Sequence, residues 1–215
     1  MDWRSLAAGA RHVVAAVAAL TLASLPGCVA DPGVRAAVAP EPAPAPAPAP
    51  VITIDSDSAS WTEQVEWALA RFQRAGLSMP TVSISVHGHK EPCGGNGGLY
   101  RPLETPEVHL CSSSTPNSRA ARLITLHELA HAWCETQLSD AQRASFLRFR
   151  GLTAWTDDRV PRHEWGAEHA AEVVSWGLMD EQIRIVRIED AGPDQLLPAF
   201  ELLADQPPLW DTQPR

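Results

Sequence analysis

The pattern of apolar and polar positions divides the chain into three stretches. Residues 13 to 25 form an uncharged apolar run, VVAAVAALTLASL, preceded by Arg4 and Arg11. Residues 31–50 have no apolar periodicity and end in PEPAPAPAPAP. From residue 51 onward the pattern becomes that of a folded domain. Trp61, Val65, Leu69 and Phe72 recur at spacings of four, four and three, one face of a helix, and Gly76 ends it. Ser60 and Glu63 have the spacing of a capping box at its start. Thr81 to Val86 (TVSISV) alternates β-branched residues with serine and predicts a strand, as does Glu107 to Cys111 (EVHLC). The stretch between them, CGGNGG, reads as a Gly-rich loop. Further helices are expected from Asn117 or Ser118 to about Gln137, from the capping box Ser139–Gln142 to about Arg150, from His163 to Leu178, and from Asp194 to Ala204. A helix, a small sheet and then mostly helices make an α+β fold.

Three segments follow. Residues 1–28 have the positive start and short apolar run of an export signal; the run is too short for a comfortable membrane span. The segment ends Leu25-Pro26-Gly27-Cys28, which resembles the bacterial lipobox, in which the cysteine becomes lipidated and N-terminal. On that reading Cys28 carries a lipid that anchors the chain to a membrane; cleavage after Ala30 would instead release a secreted protein. Residues 29–50 form a Pro/Ala-rich linker, extended at about 3 Å per residue because alternating proline forbids a helix. Residues 51–215 are long enough for one real core.

Composition narrows the partners. The chain has 215 residues, a net charge of −9 and a single lysine, Lys90, which argues against nucleic-acid binding. Nothing predicts more than a monomer. Of the four cysteines, Cys93 and Cys111 bracket the Gly-rich loop, and outside the reducing compartment they are expected to form a disulfide. Cys134 reads as a buried thiol.

The residues that point to chemistry are His127-Glu128-Leu129-Ala130-His131, an HExxH inside the apolar run LITLHELAHAW. Histidines at i and i+4 share a helix face, so both rings can reach one zinc ion, and Glu128 stands where it can take a proton from metal-activated water. With 8 histidines in 215 residues, chance HExxH has a probability of about 0.02 by simple counting. A zinc site with an open position needs a third protein ligand, and Asp157, Asp158, His163, Glu168, His169 and Glu172 are the downstream candidates. Glu168 and Glu172 are i and i+4 on a predicted helix, so one can bind zinc while the other orients a ligating histidine.

HExxH followed by a glutamate on a later helix resembles the gluzincin branch of the zincin metallopeptidases, and Glu168-His-Ala-Ala-Glu172 is similar to that family's second motif with Glu in place of Asp. The resemblance covers about residues 100–180. It implies a zincin-like fold and zinc-dependent hydrolysis of peptide bonds in a peptide or protein substrate at the cell envelope or outside the cell. It implies His127, His131 and Glu168 as zinc ligands, Glu128 as the base and Glu172 as the carboxylate behind a ligand. His163 and Glu172 stay open as third ligand, because Glu168 lies 37 positions after His131. It further implies an edge strand that pairs with the substrate, for which Glu107 to Cys111 is the candidate, and an oxyanion partner among His163, His169 and Tyr100. Trp155 and Trp165 are candidates to line a cleft. His87, His89 and His109 sit around the strands, where surface or core roles are the default and adventitious metal a minor one. The competing function is a non-catalytic envelope lipoprotein on a zincin-like scaffold, with structural zinc or none.

Overall fold

The computed structural model describes residues 49–111, 115–185, 187–189 and 191–210. The export signal with Cys28, and the linker up to residue 48, lie outside the described residues. Among the described residues no helix is long and apolar enough to cross a membrane. The architecture is α+β: a four-stranded sheet with helices α1 (Ala59–Arg74), α2 (Arg119–Gln137), α3 (Asp140–Arg150), α4 (Gly166–Leu178) and α5 (Pro193–Ala204).

The sheet runs in the order β1 (Ile52–Asp55), β2 (Val82–Val86), β4 (Glu107–Leu110) and β3 (Gly98–Arg101). β1, β2 and β4 are parallel, and β3 runs antiparallel on the outer side of β4. Alternation decides which face is buried. Val82, Ile84, Val108 and Leu110 are essentially inaccessible and join the core with residues of α1 and α2, while Ser83, Ser85, Glu107 and His109 lie on the other face.

Two strands differ from the sequence reading. β1 is not expected from the sequence, because the alternation Ile52-Thr-Ile-Asp55 is only four residues long and follows a proline tract. Gly98–Arg101 reads as part of a Gly-rich loop, yet it forms β3. As a result Glu107 to Cys111 is not the edge: β4 has β2 on one side and β3 on the other.

The helices keep their predicted places with shifted ends. α1 begins after Ser58, whose extended backbone leaves Ser60 inside the first turn, so the expected Ser60–Glu63 capping box does not start the helix. Ser118 caps α2 through its hydroxyl, which accepts from the Ala121 N–H. The Ser139–Gln142 capping box of α3 is present. α4 starts at Gly166 rather than His163, because a short 3₁₀ turn, Arg162–Glu164, ends in the extended residue Trp165.

Long-range polar contacts fix the helices against one another. Gln64 of α1 donates to the Thr125 hydroxyl of α2 at 2.6 Å and accepts from the Asn117 N–H just before α2. Arg71 of α1 is 3% exposed and donates to the carbonyls of Leu178 and Met179, closing the C-terminal end of α4, where helix carbonyls lack partners. Its guanidinium also pairs with Asp180 at 3.1 Å.

Cys93 and Cys111 form the predicted disulfide, and Cys134 is a buried free thiol. The bridge ties the start of the Gly-rich stretch to the end of β4 across 18 residues that include β3. Replacing both cysteines by serine is expected to cost about 3 kcal/mol of unfolding free energy, from the chain entropy of a loop that long. Urea unfolding under non-reducing conditions checks it, and an unchanged midpoint contradicts it.

Candidate metal centre

The HExxH residues lie in the second half of α2, where the helix is buried from Thr125 to Cys134. α4 packs against it and is itself buried over nearly its whole length. His127, His131 and Glu168 meet between the two helices. His127 Nε2 lies 3.2 Å from His131 Nε2, and Glu168 Oε2 lies 3.4 Å from the former and 3.5 Å from the latter. Donors bound at about 2.0–2.1 Å around a tetrahedral ion stand about 3.3 Å apart. The near-equilateral triangle therefore matches what one ion requires, and this group could hold a metal ion. Both histidines are about 5% exposed, so ring nitrogens without a partner here would be costly.

Two of the three donors are held from behind. Glu172 Oε1 lies 3.4 Å from His127 Nδ1, one α4 turn beyond Glu168. That nitrogen has no well-aligned hydrogen-bond partner, and its nearest carboxylate is the one that can take its N–H and turn Nε2 toward an ion. Arg187 closes on the same Glu172 oxygen at 3.4 Å. Arg162 pairs with Glu168 Oε1 at 2.8 Å, leaving Oε2 for the triangle. The Tyr100 ring, from β3, stacks on that of His131 with centroids 5.8 Å apart and planes 9° from parallel.

The site opens into a cleft of about 570 Å³ between α2, α4 and β3. Glu128 lies on the β3 side of it and is 9% exposed. A Cβ on Gly98 would stand 2.4 Å from Glu128 Cγ and 2.6 Å from its Oε1, so glycine at this position makes room for the carboxylate.

Electrostatics follow from the crowding of three carboxylates around buried imidazoles. Burial alone would lower the His127 pKa, but Glu168, Glu128 and Glu172 outweigh it and the net shift is upward. Burial would raise Glu168, but its hydrogen bonds to His127 and His131 hold it well below the usual carboxylate range. Burial, then the nearby Glu135, pushes the Tyr100 phenol up to about 12, so it stays neutral.

The other candidates from the sequence are elsewhere. His163 lines the outer cleft, exposed, and stays outside the triangle. His169 turns away: its Nε2 donates to the His163 carbonyl at 3.0 Å, and burial, then Arg150, presses its pKa down to about 4. Asp157 is paired with Arg159, and Asp158 is exposed. Trp155 donates to Glu135 and Trp165 to the carbonyls of Asp157 and Val160, so both brace loops instead of lining the cleft. Gly98, Arg162 and Arg187 were missed, since nothing in their spacing marks them; only the fold brings them to the site.

Metal content tests the centre. The full-length chain, dialysed against metal-free buffer, is expected to keep about one zinc per molecule, and Glu168→Ala clearly less. Because the three carboxylates hold the His127 pKa above the ordinary imidazole value, protons compete with an ion for this site. Binding is therefore expected to weaken as pH falls. At pH 6, below the ordinary imidazole value, the calorimetric heat of binding should vary with buffer ionisation enthalpy, with about one proton released per ion. A heat independent of buffer contradicts the proton's placement.

No family model, curated protein or solved structure matches the chain.

Proposed function

We propose that the chain is an exported zinc metallopeptidase, hydrolysing peptide bonds at the cell envelope or outside the cell. The observation that carries the reading is the triangle of His127 Nε2, His131 Nε2 and Glu168 Oε2 opening on a cleft with Glu128 beside it. His127, His131 and Glu168 would hold the zinc, whose borderline-soft character suits two imidazoles and a carboxylate. Bound there, it would supply Lewis acidity toward water and a substrate carbonyl.

The protein's own groups supply the rest. Glu128 accepts the proton of the attacking water and returns it to the leaving amine. Glu172 keeps His127 in the tautomer that presents Nε2, and Arg162 keeps Glu168 turned inward. β3 is an edge strand whose outer side has no partner in the sheet, and its residues Gly98 and Leu99 line the cleft. An extended peptide can add to it as a further strand, which lays the scissile bond along the cleft. The edge that serves this purpose is thus Gly98–Arg101, not Glu107 to Cys111.

Export rests on residues 1–28, with Cys28 as the lipid attachment point. The membrane contact would be that lipid alone, with the Pro/Ala segment as spacer. Peptides or proteins would be the substrates, met by a monomeric chain.

Two substitutions test the chemistry. Glu128→Gln is expected to lower hydrolysis of an unstructured protein substrate such as casein by at least about 10²-fold, the usual contribution of a positioned base, with zinc content unchanged. Gly98→Ala drives a methyl group into the Glu128 side chain and is expected to lower kcat while zinc stays bound. Full activity in Glu128→Gln would remove the mechanism.

A further inference from the structure

Three histidines outside the cleft gather on the opposite side of the sheet. His109 alternates along β4 with Val108 and Leu110, both fully buried toward the helices, so its ring lies on the open face. His87 follows β2, the strand beside β4, and its N–H donates to the Leu110 carbonyl at 2.7 Å. His87 Nε2 and His109 Nδ1 are 3.1 Å apart, with ring centroids at 5.3 Å. The His89 ring lies 6.3 Å from that of His87.

Carboxylates stand behind two of these rings. Glu107 Oε2 is 3.3 Å from His109 Nε2, and Glu91 Oε2 is 2.9 Å from His89 Nδ1. A carboxylate that takes one ring N–H leaves the other nitrogen with its lone pair free. For His109 that is Nδ1, which His87 Nε2 meets at 3.1 Å in a hydrogen bond that an ion would replace; for His89 it is Nε2. Two imidazoles on one ion, each bound at about 2.0–2.1 Å, place their centroids about 5–6.5 Å apart. Both observed separations fall in that range. His89 is mostly exposed, so its ring is free to turn inward.

We propose that His87, His89 and His109 form a second metal site, independent of the HExxH centre, for a late first-row divalent ion. Imidazole donors suit copper, nickel and zinc, and the affinity order within that row puts copper(II) first. Glu107 and Glu91 act as positioning residues for their histidines.

Equilibrium dialysis of the full-length chain against copper(II), with electron paramagnetic resonance to count nitrogen ligands, tests the site. The expected result is an equivalent of copper that Glu168→Ala leaves in place and His109→Ala removes. His89→Ala should reduce the nitrogen count of that signal. Glu107→Gln should weaken binding about 10- to 100-fold, as loss of a carboxylate behind a ligating histidine does. His89 and Glu107 are exposed enough that these two variants report even if His109→Ala fails to fold. Zinc content at the HExxH centre should be the same in all three. Copper binding that responds to none of the three substitutions overturns the proposal and leaves His87 and His109 as a hydrogen-bonded pair.

Discussion

Two apolar helices enclosing ionisable side chains set the terms for the rest of this structure. His127, Glu128 and His131 of α2 and Glu172 of α4 are all at or below 9% exposure, in the same interface as Leu126, Leu129, Ala170, Val173 and Val174. Charged groups taken from water into such surroundings cost several kcal/mol each unless they find partners. Here the cost is offset locally: imidazoles face carboxylates, Arg162 meets the outer oxygen of Glu168, and Arg187 meets the Glu172 oxygen that also faces His127. The cluster is thus neutralised in layers, from the donor triangle outward to Arg162 and Arg187. A single cation at the centre completes that balance better than a shared proton does, because it engages three donors at once.

The scaffold serves this interface. α4 lies against α2 with the face that carries Glu168 and Glu172, one turn apart. On its other side Gly177 lets Phe200 of α5 come so close that a Cβ would meet the ring at 2.1 Å. Arg71 secures the far end of α4 from α1, and Gln64 secures the start of α2. The sheet contributes β3, which walls the cleft, carries Tyr100 onto His131 and leaves room for Glu128 through Gly98. The disulfide anchors the loop before β3, where Gly94 and Gly95 take positive φ that other residues rarely adopt.

What could be read from the amino-acid order depended on how local the signal was. HExxH lies within one helical turn, and its geometry follows from 3.6 residues per turn alone. The Cys93–Cys111 pairing was legible because two cysteines bracket one loop. Glu168 required a resemblance, since it lies 37 positions after His131, and proximity over that distance is a property of the packed helices. Its distinction from His163 came from three residues: Trp165 is extended, so α4 begins only at Gly166, and His163 is left on the rim. β1 and β3 escaped because each is four residues long and gains its stability from pairing rather than from its own pattern. The edge strand was misassigned for the same reason, as an unseen β3 makes β4 look terminal. Arg162 and Arg187 had no local signature at all.

The three carboxylates of the cleft differ in a way that bears on their roles. Glu168 is bound by Arg162 at 2.8 Å and faces both histidines, and Glu172 lies between His127 and Arg187. Both meet positive groups, which suits ligand and positioning duties. Glu128 has no arginine partner among the described residues and lies between the Gly98 backbone and the cleft. A general base must accept a proton and release it again within one turnover, so a carboxylate locked to a guanidinium is poorly suited to the task. Their partners set Glu128 apart: of the three, it alone faces the cleft with no guanidinium beside it among the described residues.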